Sequence, residues 1–270
     1  MSLRAERCAF SRAPQKECPI TLTNRIPYAL QLYTVRDHLQ INPASTLRKV
    51  KGAGYDCVEI ADTVGLELPL FKKLIRDAGL KPVSAHLPYE KVVDDPEGAA
   101  DYARLFEVDY LVVPAIDRGL TADRAGWVTC GKALGRAGAA LRTAGIMLCY
   151  HNHAHDFEPV EKVYAIDLLI EGAAPEDLAL ELDTYWIQYA GLDPAAALEK
   201  YYGRCPLLHI KDMAGKSRAF AEIGRGVIHW REIFDKGAAA GVKWFIVEQD
   251  TCSGDSIESA RISALYLREL

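Results

Sequence analysis

Eight short apolar runs recur along this chain at intervals of about 25 to 40 residues, each followed by an amphipathic stretch. That alternation constrains the fold more than any other feature. The runs are Tyr28–Tyr33, Cys57–Ala61, Pro82–His86, Tyr110–Pro114, Ile146–His151, Leu178–Asp183, Leu207–Lys211 and Trp244–Glu248. Apolar runs of this length, bounded by turn residues, read as buried strands. Helices are predicted at Ser45–Ala53, Leu68–Ala78, Ala125–Ala144, Val163–Gly172, Trp230–Ala240 and Ile257–Leu267, with two more entered at Asp95-Pro96 and Asp193-Pro194. Proline suits a first helical position, Gly79, Gly145 and Gly241 mark helix ends, and Asp255-x-x-Glu258 reads as a capping box.

Eight strand–helix units in 270 residues match a single (β/α)8 TIM barrel, an α/β fold. A doubly wound open sheet shows the same alternation, but it usually carries a glycine fingerprint after its first strand. Here Thr34-Val-Arg-Asp37 follows that strand without a glycine. The barrel is expected over residues 26–270, with residues 1–25 an N-terminal extension laid outside it or disordered.

A net charge of −5 argues against nucleic acid or an anionic membrane as the main partner, since both need a basic footprint. No apolar stretch reaches the roughly 18 to 20 residues of a membrane helix. The seven cysteines are odd in number and never spaced as CxxC, so they read as reduced thiols of a cytoplasmic protein rather than a disulfide framework. A homo-oligomer is compatible with this composition.

Ionisable side chains gather where the later runs end. The fifth ends in His151-Asn152-His153, the sixth in Glu181-Leu-Asp183, the seventh in His209-Ile-Lys211 and the eighth in Glu248-Gln-Asp250. Alternate residues of a strand share a face, and the C-terminal ends of barrel strands build the active site. Asp183, His209 and Glu248 therefore converge as candidate ligands of one divalent metal. A carboxylate-rich N/O set suits Mn2+, Mg2+, Co2+ or Zn2+ better than a thiolate site would. For the fourth ligand, spacing leaves His151 and Glu158 both open. Each has a blander reading, Asp183 as a turn residue and His209 as a hydrogen-bonded core histidine. Glu248 cannot be buried without a partner. Polar residues inside the early strands, Gln31, Glu59 and His86, are expected to line the pocket with Asn152. His155 is placed on a surface loop. Arg225, in the turn Gly224-Arg-Gly226, could meet an anionic substrate or stay solvated.

The segments Gln31–Asp37, Val58–Ala61, Ser84–Pro88, Tyr150–His153, Glu181–Trp186, His209–Met213 and Val247–Asp250 resemble those of the sugar phosphate isomerase/epimerase group of xylose isomerase-like barrels, across roughly residues 27–270. The superfamily includes ketose epimerases, hydroxypyruvate isomerase, inosose dehydratase, 3-dehydroshikimate dehydratase and endonuclease IV. The resemblance implies one divalent metal held by Asp183, His209, Glu248 and the fifth-strand position. In the epimerases that position is a glutamate, and His151 stands there in this chain. A second departure is Gly224–Trp230, where relatives usually carry an acidic residue between the glycines and Asp before Trp. Several histidines of endonuclease IV find no match, against a DNA-repair role.

The resulting expectation is a metal-dependent isomerase or epimerase acting on a small polyhydroxylated carbonyl compound through an enediolate. Glu248, or Glu158, would be the general base, with Lys211 and His153 donating to oxygens. The alternatives are β-elimination, as in inosose dehydratase or on a 3-keto-glycoside, and a non-catalytic sugar-binding barrel.

Overall fold

The computed structural model describes residues 27–270; the stretch 1–25, expected to be an extension, lies outside the described residues. Eight parallel strands close into a barrel in chain order: β1 (Tyr28–Gln31), β2 (Cys57–Ile60), β3 (Lys81–His86), β4 (Tyr110–Val113), β5 (Met147–His151), β6 (Ala179–Asp183), β7 (Leu207–Ile210) and β8 (Trp244–Val247). β8 pairs back onto β1, with Tyr28 opposite Phe245 and Leu30 opposite Val247. The helices that return the chain between strands are α1 (Pro43–Ala53), α2 (Leu68–Asp77), α3 (Pro96–Phe106), α4 (Arg124–Thr143), α5 (Ala165–Glu171), α6 (Pro194–Lys200) and α7 (Trp230–Ala240), with α8 (Ser256–Glu269) closing the chain. Their caps match the sequence signals: Asp255 accepts from the Glu258 N–H at the start of α8, and Asp95 from the Gly98 N–H at the start of α3.

The barrel interior is layered. Ala29, Cys57, Val83, Val112, Cys149, Ala179, Leu207 and Ile246, one from each strand, form a buried apolar cluster inside the sheet. Two residues further along, the same strand face carries Gln31, Glu59, His151, Glu181, His209 and Glu248. Strand periodicity thus stacks a polar layer on an apolar floor. Outward-facing strand residues pack with the helices into the larger core. The glycines of α4 permit close approach there: a side chain at Gly131 would meet the Leu169 carbonyl at 1.9 Å.

β1, β2, β4, β7 and β8 stop one or two residues earlier than predicted, while β3, β5 and β6 end where predicted. β1 ends at Gln31, whose side chain accepts from the Tyr33 N–H and turns the chain into a tight helical turn. β7 ends before Lys211 and β8 before Glu248, so these residues leave the ladder just past the strand ends. Short helices at Arg36–Ile41, Tyr89–Asp94 and Thr184–Tyr189 were not anticipated. Cys130, Cys149, Cys205 and Cys252 are free thiols as expected. Cys57 is disulfide-bonded, which corrects the reading of a fully reduced set. Among the described residues no helix is long and apolar enough to cross a membrane.

Asp212 organises the loop after β7. Its buried carboxylate accepts from the backbone N–H groups of Met213, Gly224, Gly226 and Ile228 and from the Trp230 indole. Gly226 is required there, because a Cβ would lie 2.1 Å from Asp212 Oδ1. Hydrogen bonds to a charged group contribute about 1.5–3 kcal/mol each, and losing the acceptor orphans buried donors. Asp212→Ala is therefore expected to lower unfolding free energy by at least about 3 kcal/mol. Denaturant titration checks this, and a change below about 1 kcal/mol would show that the cage is dispensable.

Candidate active site

Two donor clusters sit in the polar layer and share His209. The inner one joins Glu59 (β2), His86 (β3), Glu181 (β6) and His209 (β7); the outer one joins His151 (β5), Asp183 (β6), His209 and Glu248 (after β8). In each, one ligand-type atom per residue lies within 4.8 Å of the others. Register explains the convergence: His151 lies opposite Glu181, Asp183 opposite His209, and Gln31 opposite Glu59.

The inner cluster is an ion and hydrogen-bond quartet. His209 Nε2 lies 2.6 Å from Glu59 Oε2 and 3.1 Å from Glu181 Oε2. His86 Nε2 lies 3.2 and 3.1 Å from the same two oxygens, and Gln31 donates to Glu59 at 2.7 Å. Burial alone would lower the His86 and His209 pKa values. The surrounding carboxylates outweigh it, raising His86 to about 9 and His209 well above the ordinary imidazole value.

The outer cluster opens toward Lys211, whose ammonium is 2.9 Å from Asp183 Oδ2, 2.7 Å from Glu248 Oε2 and 2.8 Å from Asp250 Oδ1. Although burial opposes it, these carboxylates hold the Lys211 pKa well above the ordinary value, so Lys211 stays charged and acts as a donor. Burial pushes Asp183 up to about 6. In Glu248, Lys211 and His209 overcome burial and hold the carboxyl well below its usual range. Burial, reinforced by His209, His153 and Lys211, keeps His151 neutral. Thr184 Oγ1 ties the ends of β6 and β7 by donating to the His209 and Lys211 carbonyls, and Asn152 Oδ1 accepts from the Asp183 N–H.

The outer set fits a divalent ion. A ligand histidine must be neutral and a ligand carboxylate ionisable; burial keeps His151 neutral, and a bound cation would take the place of the proton that the surrounding carboxylates hold on His209. Asp183 Oδ2 is buried without a hydrogen-bond partner, the close Lys211 contact being an ion pair outside hydrogen-bond geometry, and His151 Nε2 faces it at 3.9 Å. Two imidazoles with two carboxylates make the mixed set that Mn2+, Co2+ or Zn2+ accept.

The structure brings together Gln31, Glu59, His86, His151, Asp183, His209, Lys211 and Glu248. His153 flanks them, its ring 5.0 Å from that of His151 and 5.4 Å from that of Trp186. Two residues from the sequence reading stay apart. Glu158 is exposed at the end of the turn Ala154–Phe157, and Arg225 is exposed in its loop, its N–H bound to the Glu222 carbonyl. The sequence reading named Asp250, Trp186 and Glu181 but gave them no role in the site. The signal for Glu181 was present: a carboxylate inside an apolar strand, on the face of Asp183.

Residues 47–270 match the family model of the xylose isomerase-like TIM barrel. The chain belongs to the xylose isomerase-like barrels. An inosose dehydratase of Geobacillus thermodenitrificans is 24% identical over 257 residues, covering 80% of this chain and 86% of the relative. Another, from Bacillus cereus, is 28% identical over 53% of this chain and 54% of its own length. Among solved structures, a sugar phosphate isomerase/epimerase of Parabacteroides distasonis superposes with a TM-score of 0.80 at 25% identity, covering 95% of this chain and 98% of that one. Another barrel of the same fold, solved with a bound zinc atom, has a TM-score of 0.68 at 13% identity over 90% of this chain and 97% of that one. This xylose isomerase-like barrel thus shares its fold with members named as dehydratases and as isomerases.

Proposed function

We propose that this barrel is a divalent-metal-dependent lyase that eliminates a β-hydroxyl or β-alkoxy group from a small polyhydroxylated carbonyl compound. The observation that carries this choice is the exposed position of Glu158, with His151 in the outer donor set instead. Epimerisation by two bases needs a proton acceptor on each face of the substrate. Elimination needs one base and one acid, and Glu248 beside the ammonium of Lys211 is such a pair.

His151, Asp183, His209 and Glu248 would hold the ion, which supplies Lewis-acid polarisation of the carbonyl when bound. The two imidazoles shift preference from Mg2+ toward Zn2+ or Co2+. Glu248, kept ionised, takes the proton α to the carbonyl. Lys211 gives a proton to the departing oxygen, which leaves as water or an alcohol. Asn152 Nδ2, His153 Nδ1 and Trp186 Nε1 are buried with no partner and are the groups to engage substrate hydroxyls, since such atoms are costly to leave unpaired. The likeness to inosose dehydratase over most of the chain supports the same reading. A second reading, isomerisation with reprotonation at the neighbouring carbon, is favoured by the superposition on the Parabacteroides isomerase/epimerase.

NMR in D2O of the metal-reconstituted protein with inososes, 3-keto-glycosides and ketoses separates the two. The lyase reading expects an eliminated product; solvent exchange with an isomeric product and no elimination would overturn it. The fourth ligand is tested separately. Losing a mere supporting partner of a ligand costs about 10- to 100-fold in metal affinity, so His151→Ala should weaken metal binding by at least about 100-fold. Glu158→Ala should leave it unchanged. Opposite results in a calorimetric titration would return the ligand role to Glu158.

A further inference from the structure

One carboxylate oxygen touches three histidines. Glu181 Oε2 lies 3.1 Å from His86 Nε2, 3.1 Å from His209 Nε2 and 3.2 Å from His151 Nδ1. Glu181 is wholly buried, on β6 between the strands that carry His151 and His209. It stands two residues before Asp183, so it lies on the same inward face one step deeper in the barrel. The far nitrogens of two of these rings point the other way. His209 Nδ1 lies 2.8 Å from Glu248 Oε2 and 3.9 Å from Asp183 Oδ2, and His151 Nε2 lies 3.9 Å from Asp183 Oδ2.

We infer that Glu181 is the positioning residue of the outer cluster: its Oε2 lies beside the inner nitrogen of each ring, 3.2 Å from His151 Nδ1 outside hydrogen-bond geometry and 3.1 Å from His209 Nε2, and so turns His151 Nε2 and His209 Nδ1 toward the ion. A ligand imidazole has one nitrogen for the metal and one N–H to place, and a carboxylate that takes the N–H fixes both tautomer and ring angle. Glu59 plays the same part for His209 alone, since it touches His209 and His86 but not His151. His86 and Gln31 hold the two carboxylates in turn. The network crosses the barrel from β2 to β7, so no strand pair by itself could set these angles.

This inference rests on the outer cluster as the ion site, and the test keeps the two apart by reading the rings as well as the ion. Wild type, Glu181→Gln and Glu59→Gln, each checked for an unchanged circular dichroism spectrum, are titrated with Co2+ and followed by its absorption bands. Imidazole ¹H–¹⁵N correlation spectra are recorded with and without the ion. Glu181→Gln is expected to weaken Co2+ binding about 10- to 100-fold at unchanged stoichiometry and to shift the ring nitrogens of both His151 and His209. Glu59→Gln should shift His209 and leave His151 in place, which keeps the test alive if Glu181→Gln does not fold. Unchanged affinity and unchanged rings in Glu181→Gln would overturn the inference. So would a second Co2+ equivalent in wild type that Glu181→Gln removes, because the inner quartet would then itself be a metal site. If wild type takes up no ion, the lyase reading fails, while the ring spectra without ion still show whether Glu181 orients both histidines.

Discussion

Lys211→Met is expected to destabilise the ion-free protein by about 3–5 kcal/mol, the usual cost of removing one partner from a buried ion pair. It should also abolish turnover. Lys211 is 1% exposed, and its ammonium sits between the carboxylates of Asp183, Glu248 and Asp250. Methionine fills most of the volume but leaves three acidic groups facing one another in a buried site. Their repulsion is relieved by protonation or by a bound cation, so added Mn2+ or Zn2+ should recover more stability in this variant than in wild type. Thermal unfolding with and without metal measures the difference. A variant as stable as wild type without metal would mean that the carboxylates are not held together by Lys211.

Glu248→Gln is expected to lower kcat by about 100- to 10,000-fold, the range for removing a positioned acid or base, while the fold survives. Glutamine keeps the shape and one acceptor oxygen toward Lys211 and His209, and Asp183 and Asp250 remain to neutralise the ammonium. What is lost is the charge that binds the ion and accepts the proton. Circular dichroism separates this from misfolding, and near-wild-type activity would place the base elsewhere.

The barrel was legible in the sequence because each strand is a short apolar run buried on both faces, and its caps are local signals. The ligand-type residues were legible for a related reason: Glu59, Asp183, His209 and Glu248 interrupt or end runs that otherwise have no polar group to spare. Loop geometry was not legible. Glu158 lies only seven residues beyond His151, but the tight turn at Ala154–Phe157 carries it outward to solvent. Asp250, Trp186 and Thr184 join the site from segments whose path depends on contacts far away in sequence, such as the bond from Arg36 to the Asp250 carbonyl. Strand ends were predicted too late by up to two residues at β1 and by one at β7 and β8. In each case a side chain or a ligand-type residue takes over where the ladder stops. Glu181 was visible but passed over, because sequence shows that a buried carboxylate needs partners without showing that it has three.

Calorimetric titration of the metal-stripped protein with Zn2+ and Mn2+, alongside Asp183→Asn, tests the central claim most directly. One ion per chain is expected, with the unfolding temperature rising as free ion increases and both effects lost in Asp183→Asn. Binding that survives unchanged in Asp183→Asn, or no binding in wild type, would contradict it.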